Sequence, residues 1–87
     1  MIELSKDKII ERFRSYVALD TASDDKSETS PSTAKQLKLA KLLKSELSGL
    51  GLDDVALTEY GYVLAALPAN TNEKLPVIGL LAHMDTS

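Results

Sequence analysis

The chain of 87 residues has no cysteine, one histidine, four glycines and only 5% aromatic residues. Without cysteine there is neither a disulfide framework nor a thiolate metal site, so a reducing cytoplasm is the expected compartment. Gly49, Gly51, Gly61 and Gly79 are too scattered to form a phosphate-cradling loop. A Gly-x-Ser-x-Gly nucleophile elbow is absent as well. The longest apolar stretch, residues 77–82, falls far short of the roughly 20 residues that a membrane helix needs. Residues 1–7 lack the basic start and apolar run of a secretory signal. Positive charge is in the minority, with a formal net charge of -3, which makes nucleic acid a poor partner.

What is present fits one small globular unit. Domains run to about 100–200 residues, so this length allows at most one. The 44% hydrophobic and 26% charged content is ordinary for a folded chain. A first helix is predicted over residues 5–19. Ser5 can cap it, and Asp7 places negative charge against the positive end of the dipole. Ile9, Ile10, Phe13, Tyr16 and Val17 recur at helical spacing and should form its buried stripe, with Lys8, Glu11, Arg12 and Ser15 facing water.

Residues 20–32 are polar and contain Pro31, which reads as a long, mobile surface connection. Ser32 or Thr33 should then cap a second helix reaching Ser48. Leu37, Ala40, Leu43 and Leu47 give it an apolar stripe that Leu39 and Leu42 widen. Gly49 and Gly51 stand where a left-handed residue ends a helix. Lys35, Lys38, Lys41 and Lys44 form a basic outer face, read as solvated because no aromatic residue interleaves them.

Beyond Gly51 the period changes. Residues 55–59 alternate as a strand, Tyr60-Gly61 is a candidate turn, and residues 62–67 form a second strand ended by Pro68. Residues 76–82 make a nearly unbroken apolar run. A strand apolar on both faces belongs in the middle of a covered sheet. Gly79 within it suggests a close backbone approach. The fold class is therefore α/β, two helices followed by three strands. Too little is present to cover both faces of such a sheet, so the 87 residues are expected to begin a longer protein.

The chemistry concentrates at the end of that apolar run, in Leu81-Ala82-His83-Met84-Asp85-Thr86-Ser87. Ligands in α/β proteins bind where central strands end and loops diverge. Residues two apart on an extended chain share a side, about 6.5–7 Å apart by rise, so His83 and Asp85 should face one region and Met84 the packing side. Neutral imidazole is a good zinc ligand, and a carboxylate beside it can fix its tautomer and orientation. One histidine and one aspartate do not complete a zinc site, which takes three or four protein ligands. Asp24, Asp25, Asp53 and Asp54 are paper candidates, though paired loop aspartates are usually turn formers. Thr86 and Ser87 lie too close to His83 along the chain to form a nucleophilic triad with it.

The stretch Gly79-Leu80-Leu81-Ala82-His83-Met84-Asp85-Thr86-Ser87 resembles the first metal motif of the aminoacylase-like di-zinc metallopeptidases. Residues 62–70 and their spacing to Pro76 match it as well. So do the opening helix, Thr21-Ala22-Ser23, Ser30-Pro31-Ser32-Thr33 and Leu50-Gly51-Leu52. The resemblance covers essentially the whole chain. Its most specific part is His83-Met84-Asp85-Thr86-Ser87 after a hydrophobic strand, and many relatives carry valine or a similar residue in place of Thr86.

The resemblance implies that His83 binds one of two zinc ions. It gives Asp85, behind the histidine, an assisting catalytic role. Residues 1–87 would be the N-terminal portion of an α/β zinc-binding catalytic domain, without its remainder or the smaller lid or dimerisation domain. Within the family the likeness is to cytoplasmic aminopeptidases that act on tripeptides, in a protein that forms a homodimer. A dipeptidase or an N-acyl amino-acid deacylase of the same superfamily is the alternative. A small non-catalytic module with the lysine face as its contact surface is a further one. The bridging aspartate, the glutamate base and the other ligands are not in this sequence, so the chain alone is expected to be inactive.

Overall fold

Ser5 has extended backbone, and its Oγ accepts a hydrogen bond from the Lys8 amide at 3.4 Å, which starts α1 (Lys6–Val17) as the sequence predicts. This is a computed structural model, and it describes residues 4–87; the first three residues of the expected 1–87 unit lie outside the described residues. Helix α1 stops short of the expected Leu19. Its last turn closes with the Ala18 amide on the Arg14 carbonyl at 3.1 Å. The expected stripe is in place but not buried, and Phe13 is 63% exposed. The reason is tertiary. Tyr16 donates to Glu46 Oε2, and Arg12 Nε lies 3.9 Å from the same oxygen. These polar ties join α1 to the second helix without covering Ile9, Phe13 or Val17.

Helix α2 (Gln36–Gly49) begins later than expected, after Lys35 rather than at Ser32 or Thr33, and has no side-chain cap. Both expected caps are engaged elsewhere. Thr33 Oγ1 donates to the Ala22 carbonyl at 2.8 Å, and Ser32 Oγ accepts from the Asp24 amide at 3.0 Å. The helix instead enters through tight backbone turns, such as the Leu37 amide on the Ala34 carbonyl at 3.0 Å. Its buried residues are Gln36, Leu39 and Ala40, while Leu37, Leu42, Leu43 and Leu47 are half-buried. The packed face is thus rotated toward Leu39 from the predicted Leu37–Leu47 line. Lys35, Lys38, Lys41 and Lys44 are exposed, as a solvated face requires. Gly51 ends the unit at φ +92°, whereas Gly49 remains helical.

The predicted hairpin forms with shorter strands, β1 (Ala56–Leu57) and β2 (Val63–Leu64), paired antiparallel with Ala56 opposite Leu64 and Leu57 opposite Val63. It packs against α2. Its turn closes with the Thr58 amide on the Tyr62 carbonyl at 2.8 Å and the Gly61 amide on the Thr58 carbonyl at 3.0 Å. Gly61 has φ +82°, and a Cβ there would sit 3.0 Å from Pro31 Cδ. Glycine is needed on both counts.

The α/β class holds, with two helices and one small sheet. The third expected strand does not form. Residues 76–82 have irregular backbone, and Val77, Ile78, Leu80 and Leu81 are almost fully exposed. A strand exists through a neighbour that accepts its backbone groups, and β1 and β2 pair only with each other among the described residues. The close approach expected at Gly79 is likewise absent, since a Cβ there would meet open space. The radius of gyration is 15.3 Å. A compact chain of this length would have about 12 Å.

Candidate functional site

Asp20, the first residue of the polar loop, fixes the site's foundation. Its Oδ1 accepts from the Ala22 amide at 3.1 Å, and its Oδ2 holds Lys35 Nζ at 3.1 Å, at the entry to α2. With Thr33 Oγ1 on the Ala22 carbonyl, residues 20–22 are held from two sides, and Thr21 is buried. These bonds hold Asp20's carboxyl below its usual range, the Ala22 amide first and Lys35 next. The loop expected to be a mobile connection is therefore tied down at this end.

The C-terminal motif docks on that foundation. Ala22 and Thr86 form a parallel bridge, with the Thr86 amide on the Thr21 carbonyl at 3.1 Å and the Ser23 amide on the Thr86 carbonyl at 2.7 Å. Ser23 Oγ donates to the same carbonyl at 3.1 Å. Thr86 engages here through its backbone atoms.

The docked segment brings His83 and Asp85 into direct contact. His83 Nδ1 lies 2.9 Å from the Asp85 carbonyl oxygen and 3.0 Å from Asp85 Oδ1. Both neighbours are acceptors, so Nδ1 carries the hydrogen and donates. In the neutral ring the free lone pair is then on Nε2, on a side chain that is 85% exposed. Asp85's carboxyl is held below its ordinary value by the Ser23 hydroxyl first and by His83 second. Met84 is half-buried, as its opposite facing requires.

His83 and Asp85 edge an open cleft of about 660 Å³ whose apolar wall includes Phe13, Tyr16, Leu39 and Leu43. The paper candidates do not join them. Asp24 Oδ1 accepts from the Lys26 amide at 2.9 Å, the turn-forming role. Among the described residues, no group of three His, Cys, Asp or Glu side chains converges. This segment therefore fits one corner of a zinc site, a nitrogen ligand with its orienting carboxylate, and not a whole site. Sequence reasoning missed Asp20, Ser23 and Thr33. The available signal was residue type: short polar side chains that bond to backbone cluster in Asp20-Thr21-Ala22-Ser23 and Ser32-Thr33.

The chain is 54% identical over 82 residues to peptidase T from a Geobacillus species, strain WCH70, a match covering 94% of this chain and 20% of that protein. Peptidase T from Halothermothrix orenii is 56% identical over 80 residues, with 92% and 20% covered. That of Bacillus subtilis is 51% identical over 82 residues, with 94% and 20% covered. Over nearly its whole length, the segment is thus similar in sequence to part of peptidase T. It spans about a fifth of the length of these peptidase T relatives. No family model matches the chain. No helix among the described residues is long and apolar enough to cross a membrane.

Proposed function

We propose that these residues form the N-terminal portion of the zinc-binding domain of a cytoplasmic, homodimeric aminopeptidase that releases the N-terminal residue from tripeptides. The observation that carries the reading is the His83–Asp85 contact at 3.0 Å, at the end of an apolar run in a chain about half identical to peptidase T. In this reading His83 gives Nε2 to one of two zinc ions. Asp85 receives the Nδ1 hydrogen, which fixes the tautomer, aims the ring and raises its basicity toward the metal. Zinc, when bound, polarises the scissile carbonyl and acidifies water. The open cleft beside the pair leaves room for a short peptide on an apolar wall.

The test uses the longer protein that carries this segment. Chelation should abolish tripeptide hydrolysis, and added zinc should restore it. His83→Ala should nearly abolish turnover and lower bound zinc from two ions per chain to one. Unchanged hydrolysis and metal content in His83→Ala would overturn the assignment. The 87-residue chain by itself should show no chelator-sensitive hydrolysis of a tripeptide, because it offers a single corner of the site.

A further inference from the structure

We propose that Ser23 is a positioning residue for the His83–Asp85 pair, acting through its hydroxyl on the Thr86 carbonyl; this rests on the zinc-peptidase reading above. The Thr86 carbonyl receives two donors, the Ser23 amide at 2.7 Å and Ser23 Oγ at 3.1 Å, which together occupy both of its lone pairs. The Thr86 amide is held by the Thr21 carbonyl at 3.1 Å, so both backbone polar groups of Thr86 are engaged by residues 21–23. Thr86 immediately follows Asp85, and Asp85 presents both its carbonyl and its Oδ1 to His83 Nδ1. Fixing the Thr86 backbone thus limits the backbone rotation that would swing those two oxygens away from the imidazole.

The support beneath Ser23 is itself anchored. Ala22 is held by Asp20 at its amide and by Thr33 at its carbonyl, and Asp20 is held by Lys35. The start of α2 is in this way connected through residues 20–23 to the imidazole. Placement of a ligand to within fractions of an ångström needs such a supporting layer. Ser23 is exposed, so substitutions there fit without repacking a core.

The experiment compares Ser23→Ala with Ser23→Thr, which keeps the hydroxyl, in the longer protein. In Ser23→Ala, kcat for a tripeptide should fall about 10–100-fold, the usual effect of losing a residue that supports a metal ligand. KM should move less than about twofold, and Ser23→Thr should recover most of the rate. A second readout needs neither metal nor turnover. In metal-free protein labelled with nitrogen-15 histidine, the His83 signal, assigned by its loss in His83→Gln, should report a hydrogen on Nδ1. In Ser23→Ala that signal should shift toward a mixture of tautomers, with the melting temperature unchanged. An unaltered tautomer and rate in Ser23→Ala would overturn the proposal, as would equal loss in Ser23→Thr or a rate loss that only tracks a lower melting temperature. Failure of the zinc-peptidase reading is distinguished by His83→Gln retaining full hydrolysis, while the tautomer comparison still tests Ser23.

Discussion

Two oxygens of one residue face one nitrogen of another at the end of the chain, and the consequences differ for each partner. His83 has a fixed hydrogen on Nδ1 and a solvent-facing Nε2. Asp85 Oδ1 meets the His83 ring at 3.0 Å, so its contribution passes through the histidine. Replacing it by asparagine keeps the size and an acceptor oxygen but removes the charge that strengthens the hydrogen bond. Asp85→Asn in the longer protein should therefore fold normally and lose about 10–100-fold in activity, the scale found for partners of metal-bound histidines. Circular dichroism and steady-state kinetics on the same preparation check this. A variant with parental kcat would remove Asp85 from the mechanism. A variant as inactive as His83→Ala would make it a direct participant.

Among the elements, α1 meets α2 through Tyr16 and Arg12, both directed at Glu46. Burial first, and the Glu46 carboxylate second, push the Tyr16 hydroxyl up to about 12. An unfolded tyrosine ionises near about 10. Between those values the folded state holds a proton that the unfolded state has released, so stability falls as pH rises through that window. Below it the contribution is fully present. A tyrosinate absorbance titration should show a step near pH 12 that vanishes in Tyr16→Phe; an identical alkaline limb in both proteins would exclude the contact. The same tie shows what could be read from the sequence. The start of α1 was legible because Ser5 and Asp7 act on amides within their own turn. The start of α2 was not, because Ser32 and Thr33 engage partners in the loop rather than the helix. That His83 and Asp85 share one region was legible from their spacing two residues apart, although no strand forms there. Their support was not, because Ser23 and Thr86 are 63 positions apart. Residues 76–82 read as a strand by composition, but a strand depends on a neighbour that composition does not specify.

Across the molecule, the apolar surface and the packing disagree. The buried hydrophobic residues among those described are Leu39 and Ala40, while Val77 and Leu81 are 98% and 101% exposed. Phe13, Val17 and Ile9 add a second uncovered stripe on α1. Apolar area costs roughly 25 cal/mol per Å² when left in water, and contiguous patches of this kind drive association. The 87-residue chain prepared as such should bind the dye ANS, melt over a broad range and associate as its concentration rises. Leu81→Asp gives this argument a sign. On the 87-residue chain the added charge should reduce dye binding and association. If residues 76–82 form in the longer protein the covered central strand that their composition suggests, the same change should cost more than about 2 kcal/mol there, since losing a buried leucine alone costs about 2–5. Chemical denaturation of both forms, with and without the substitution, decides it. Opposite effects in the two contexts place this run inside the parent's sheet. A neutral result in the longer protein would leave it on the surface, and the strand assignment would fall with it.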